Sequence, residues 1–134
     1  VAPHLVAHFL DGADICMAPE PSSPYNDRST AIKIMEYMAL GRPIVCFDLP
    51  ENRVTAGNAA AYARPNDELD FARQVRALMD DPKRRERMGK KGRERVENEL
   101  AWPHQARLLL AAYGTLFPEW VRGGCRDRLT GDGG

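Results

Sequence analysis

The sequence has no surplus charge of either sign: 19 Lys and Arg stand against 19 Asp and Glu in 134 residues. That balance removes the bulk electrostatic reason to expect nucleic acid or an anionic membrane as the main partner. Long apolar runs are missing too. Asp, Gly, Arg or Lys interrupts every candidate well short of the roughly 20 residues that a membrane span needs. The opening residues, VAPHLVAHFLDG, lack the basic start and long apolar stretch of a secretory signal. Cysteine is scarce and odd in number: Cys16, Cys46 and Cys125, with no CxxC spacing. This excludes a disulfide framework and a clustered zinc site, and no metal ligand set is expected. Cys16 and Cys46 sit in short apolar runs and read as reduced, structural thiols. What is present, 43% hydrophobic and 28% charged residues, is the make-up of an ordinary soluble globule. The length suits one domain that buries roughly two thirds of its unfolded surface. A cytosolic enzyme or binding domain is the expectation.

Along the chain, helix and strand signals alternate. Leu5, Val6, Phe9 and Leu10 share one face of a short helix that Gly12 ends. Residues 13–18 (ADICMA) read as a strand stopped by Pro19, and 20–28 (EPSSPYNDR) as a loop. The spacing predicts a helix from Ser29 to Leu40, closed by Gly41 with Pro43 beyond. Ile44-Val45-Cys46-Phe47 is the continuous apolar run of a buried parallel strand. Glu51 to Ala56 predicts a helical turn, and Ala60 to Ala63 a weak edge strand. Leu69, Ala72, Val75, Leu78 and Met79 form a 3.6-period stripe with Asp67 near its start. The charged stretch 84–100 is helical but interrupted by Gly89 and Gly92, and Pro103 opens a last helix carrying Leu109, Leu110, Tyr113 and Leu116. From Glu119 the composition turns glycine-rich, which predicts a flexible tail with Trp120 its only anchor. The pattern is that of an α/β fold, a Rossmann-like parallel sheet flanked by helices. Only two or three strands can be counted, where a doubly wound domain has about five or six. The chain is therefore expected to begin inside a fold unit.

The chemistry centres on the helix predicted from Ser29. It is apolar almost all round, so it is expected to be mostly buried, with Lys33 and Glu36 its charged interior positions. Two readings stand for these: a Lys33–Glu36 pair facing solvent, or Glu36 facing a cleft and accepting ligand hydroxyls. Asn26, Asp27, Ser29 and Thr30 are all helix-capping types. A helix start just after a strand's carboxyl end is also an anion site in an open α/β sheet. Glu36 lies about two turns further along, a span that would place a diphosphate at the helix start and a ribose at Glu36. Other features weigh less. His4 and His8 have metal-ligand spacing but no partner ligand nearby, His104 sits in a helix's first turn, and Trp102 with Pro103 reads as a packing corner. The eight basic residues of 83–95 are interleaved with acidic ones and read as a solvated face, with nucleic-acid binding a distant second.

The run ADICMAP at 13–19, followed by KIMEYMALGRPIV at 33–45, closely resembles the C-terminal lobe of family 4 glycosyltransferases. The likeness continues through Asp81-Pro82, Arg85, Met88-Gly89, Arg93, Val96 and Trp102 to Leu110 and Tyr113, covering about residues 5–117. It implies the partial C-terminal lobe of a two-lobe GT-B enzyme, which moves a sugar from a nucleotide donor with retention. Residues 1–117 would be the donor-binding lobe and 118–134 a flexible tail. In that family's Glu-x7-Glu motif the second glutamate, which holds the donor ribose, matches Glu36. The first falls at Arg28, a departure that leaves Asp27 or Asn26 to meet the sugar. Ser29 and Thr30 match the small residues whose amides approach the donor phosphates, and Lys33 would pair with Glu36 or approach a phosphate.

The resemblance implies no cofactor beyond the nucleotide-sugar substrate, and it assigns no catalytic residue in this chain. The acceptor, a sugar, lipid or glycan, would meet mostly the absent N-terminal lobe. A role in cell-envelope polysaccharide synthesis at the cytoplasmic membrane face is compatible with it. The rivals are a sugar-nucleotide epimerase of the same architecture and a non-catalytic α/β binding or regulatory module.

Overall fold

The computed structural model describes residues 3–118, without the side chains of Pro3, His4 and Ala7. The expected tail, Trp120 and Cys125 lie outside the described residues, as does the side chain of His4. Two compact units divide at residues 97 and 98.

The first unit is an α/β layer built on three parallel strands in the order β1-β2-β3. Helix α1 (Pro3–Asp11) leads into β1 (Cys16–Ala18), then α2 (Ile32–Ala39), β2 (Ile44–Phe47), α3 (Pro50–Ala56), β3 (Ala60–Ala63), α4 (Glu68–Met79) and α5 (Pro82–Arg95). The central strand is β2, with Ile44 facing Cys16 on one side and Ala60 on the other. All four of its residues are buried, as a strand covered on both faces requires. Because side chains alternate across a sheet, Val45 and Phe47 share one face with Ala61 and Ala63. There they join Leu49, Phe71, Leu78 and Met88 in one core cluster. Phe47 and Phe71 meet edge-on, ring centres 5.1 Å apart. Ile34 and Met38 of α2, with Ile44 and Cys46, are fully buried as well. Both described cysteines are buried free thiols, and burial pushes the Cys46 thiol up to about 12.

Several sequence expectations need correction. Strand β1 is three residues long because Ala13 turns back to bond the Leu10 carbonyl. Helix α4 buries Phe71 and Leu78, whereas Leu69 is 71% exposed and Met79 60%. Its inner stripe is thus Phe71-Val75-Leu78, with Asp67 capping the Asp70 amide at 2.8 Å.

The glycines of α5 do not interrupt it. Met88, Gly89 and Gly92 are its buried stripe, and they let a highly charged helix lie directly on the α2–β2 turn. A Cβ at Gly89 would sit 2.0 Å from the Gly41 carbonyl oxygen, and one at Gly92 3.1 Å from Cγ of Met38. Gly41 in turn holds φ +66°, a left-handed helix stop that non-glycine residues rarely adopt.

The second unit, from Asn98, contains α6 (Trp102–Leu116) with Pro103 in its first turn. This helix buries none of its residues. Trp102 is 68% exposed, so it does not form the packing corner expected of it.

Candidate functional site

Two segments leave the carboxyl ends of neighbouring strands: Pro19 onward after β1, and Asp48 onward after β2. In open α/β sheets this is where ligands bind. Here Glu20, Asn26, Ser29, Ala31, Lys33 and Leu49, with the buried Asn52, line a small cavity of about 130 Å3. Asn52 donates to the Phe47 carbonyl at 3.0 Å, which ties the start of α3 to the end of β2.

Three of the six expected site residues, Asn26, Ser29 and Lys33, line this cavity; Asp27, Thr30 and Glu36 do not. Residues 26–28 form one 3-10 turn inside the expected loop, held by Ser23, whose hydroxyl accepts from the Asn26 amide at 3.1 Å. Asn26 Nδ2 donates to the Pro21 carbonyl at 2.8 Å. Asp27 accepts from the Ser22 hydroxyl at 3.1 Å through Oδ2, while its Oδ1 is buried without a partner among the described residues.

The helix does not start at Ser29. It starts at Ile32, after an extended Ala31 that offers no side-chain cap. Ser29 closes the 3-10 turn with its amide on the Asn26 carbonyl at 3.3 Å, and the Thr30 hydroxyl donates to Glu51 Oε2 at 2.9 Å. Neither caps α2. Nor is α2 mostly buried: only Ile34 and Met38 are, and Ile32 is 67% exposed.

Lys33 does not pair with Glu36. Its ammonium binds Glu20, and that hydrogen bond holds the Lys33 pKa above its ordinary value. Glu20 is the residue that sequence reasoning missed. It lies 13 positions from Lys33, so no helical spacing points to it. Its second oxygen, Oε2, is buried and accepts nothing from the described residues. Glu36 is exposed on α2, with its side chain free of bonds to described residues. The site thus presents a carboxylate (Glu20), an amide (Asn26), a hydroxyl (Ser29) and a cation (Lys33), a set that suits a polyhydroxyl or phosphorylated ligand. Among the described residues no three His, Cys, Asp or Glu side chains gather as a metal would need. No helix there is long and apolar enough to cross a membrane.

Comparison with known proteins bears on this geometry. A family model described as glycosyl transferase-like matches residues 1–111. The chain is also 30% identical over 70 residues to a protein of Bacillus subtilis (strain 168) named "Putative teichuronic acid biosynthesis glycosyltransferase TuaH". That match takes in 52% of the chain and 18% of the relative, so the chain aligns with under a fifth of that protein's length.

Proposed function

Since the chain belongs to the glycosyl transferase-like family, we propose that it supplies the nucleotide-sugar-binding lobe of a retaining, family 4-type glycosyltransferase with the GT-B architecture. The observation that carries this reading is the cavity beyond β1 and β2, where Lys33 and the unpartnered Glu20 oxygen meet Asn26 and Ser29. In the proposal the donor diphosphate lies along Ser29 and Thr30, the ribose hydroxyls on Glu36, and the sugar against Asn26 and Asp27. Ser29 and Thr30 approach it from an extended segment instead of a helix cap.

Lys33 exchanges Glu20 for phosphate as the donor enters. The Lys33–Glu20 pair is partly exposed, at 44% and 31%, so giving it up costs about 1 kcal/mol or less. The released Glu20 carboxylate then accepts a sugar hydroxyl. Residues 1–117 act as this lobe, an acceptor sugar, lipid or glycan meets a second lobe, and the nucleotide sugar is substrate with no further cofactor. A cytoplasmic setting supplies such donors, and the relative's name suggests cell-envelope polysaccharide as the product class. Family membership favours transfer over the epimerase and the non-catalytic module.

Calorimetric titration with UDP- and GDP-sugars tests the reading. Glu36→Ala is expected to weaken binding by about 1.5–3 kcal/mol, the loss of a hydrogen bond to a charged group. Equal affinities in the two proteins, with an unchanged melt, would overturn the assignment.

A further inference from the structure

The even charge balance of the sequence conceals a local imbalance. On α5, Arg84, Arg87 and Lys91 stand at i, i+3 and i+7 and share one face. Arg53 of α3 reaches the same place, and the four cations line a cavity of about 280 Å3 with Asn58 and Tyr62. Among the described residues no carboxylate lines it. Of the acidic residues nearby in sequence, Glu94 pairs with Lys90 and Glu97, just past the helix, with Arg93, while Glu86 does not line the cavity. Arg84, Arg87 and Lys91 form no ion pair with the described residues. Arg53 alone is partly neutralised, by a two-pronged bond to Asp48 at 2.5 and 2.7 Å. Its guanidinium carbon lies over Tyr62, 3.9 Å from the ring centre, and the Tyr62 hydroxyl donates to the Gly57 carbonyl at 2.8 Å. Arg84 is half-buried. Convergent like charges around one hollow repel one another unless an anion enters.

We propose that this hollow is an anion site for a phosphate group, carried either by a small soluble phosphate or by a lipid headgroup. Guanidinium forks match phosphate oxygens in pairs, and Lys91 adds a point charge. The volume suits a phosphate or diphosphate. No lining residue is shared with the candidate donor site, so the proposal stands independently of that reading.

The test titrates the chain with inorganic pyrophosphate and, in parallel, sediments it with vesicles of phosphatidylglycerol in phosphatidylcholine. Arg84→Gln with Arg87→Gln is expected to weaken whichever interaction is present by about tenfold or more. Lys90→Gln with Arg93→Gln, which removes the same charge from the other side of α5, is expected to change it by less than about threefold. Lys91→Gln, an exposed single change, supplies the same reading should the double variant melt early. Binding to pyrophosphate alone assigns the phosphate to a soluble ligand; binding to vesicles alone assigns it to a headgroup. No binding to either probe overturns the site, as does an equal loss in the two double variants.

Discussion

Replacing Gly89 with alanine adds one methyl group where α5 crosses the α2–β2 turn. The new carbon would lie 2.0 Å from the Gly41 carbonyl oxygen and 2.9 Å from its carbonyl carbon. Carbon and oxygen settle at about 3.3 Å, so helix and turn must part by roughly 1.3 Å. The turn cannot yield easily. The Gly41 amide bonds the Met38 carbonyl at 2.9 Å, the Arg42 amide bonds Tyr37 at 2.9 Å, and Gly41 is fixed at φ +66°. The helix must move instead, lifting Met88 and Gly92 from a packed surface. Overpacking of this kind costs about 1–3 kcal/mol and at a backbone clash more, against about 1 kcal/mol gained from alanine's helix propensity. The expected net loss is about 2–3 kcal/mol, a fall of roughly 10–20 °C in Tm for a domain of this size. Gly92→Ala is the matched control. Its Cβ would meet Cγ, Cβ and the backbone Cα of the buried Met38 at 3.1 to 3.3 Å, a crowding that a small shift relieves, so the loss is expected to be about 1 kcal/mol and below that of Gly89→Ala. Urea titration followed by circular dichroism measures both. A Gly89→Ala protein as stable as wild type would show that α5 does not rest on this turn.

Phe71→Ala should cost about 3–5 kcal/mol by the same assay, since it empties the contact with Phe47, whereas Leu69→Ala should cost under about 1 kcal/mol. Cys16 and Cys46 should resist alkylation at pH 8 until the chain is unfolded, because burial holds both thiols protonated; mass spectrometry of the labelled peptides reads this directly. The Cys46 pKa rises from 9.0 to about 12 on folding, so its neutral thiol contributes fully below pH 9 and that contribution is lost as pH climbs toward 12. Tyr62, also raised to about 12 by burial, adds to the same alkaline decline. A melt that does not fall above pH 9 would contradict the burial of both groups.

Local pattern carried much of the fold. The Ile44–Phe47 run, framed by Gly41 and Pro43, marked the central strand because a strand covered on both faces is apolar at every position. Pattern failed where packing in three dimensions decides. In α4 it took Leu69 and Met79 for core by their chemistry and passed over Phe71, because several apolar registers fit one short helix. In α5 it read two glycines as breaks, since close approach to another backbone leaves no trace in propensity. At the candidate site, four capping-type residues pointed to a helix start that uses none of them; Thr30 is engaged by Glu51, 21 positions away. The Lys33 partner was equally out of reach, since helix spacing favours Glu36 and only the fold brings Glu20 to the ammonium.

The strand order β1-β2-β3 has a consequence for how the chain collapses. Spatial order follows chain order, so no strand must wait for a later segment to be inserted between its neighbours. Pairing Ile44 with Ala60 closes a shorter loop than pairing Cys16 with Ile44, and loop-closure entropy rises with loop length. The β2–β3 pair, bridged by α3, is therefore the entropically easier first step. Once formed, it presents a ready edge to the three-residue β1, which is too short to hold a partner by itself.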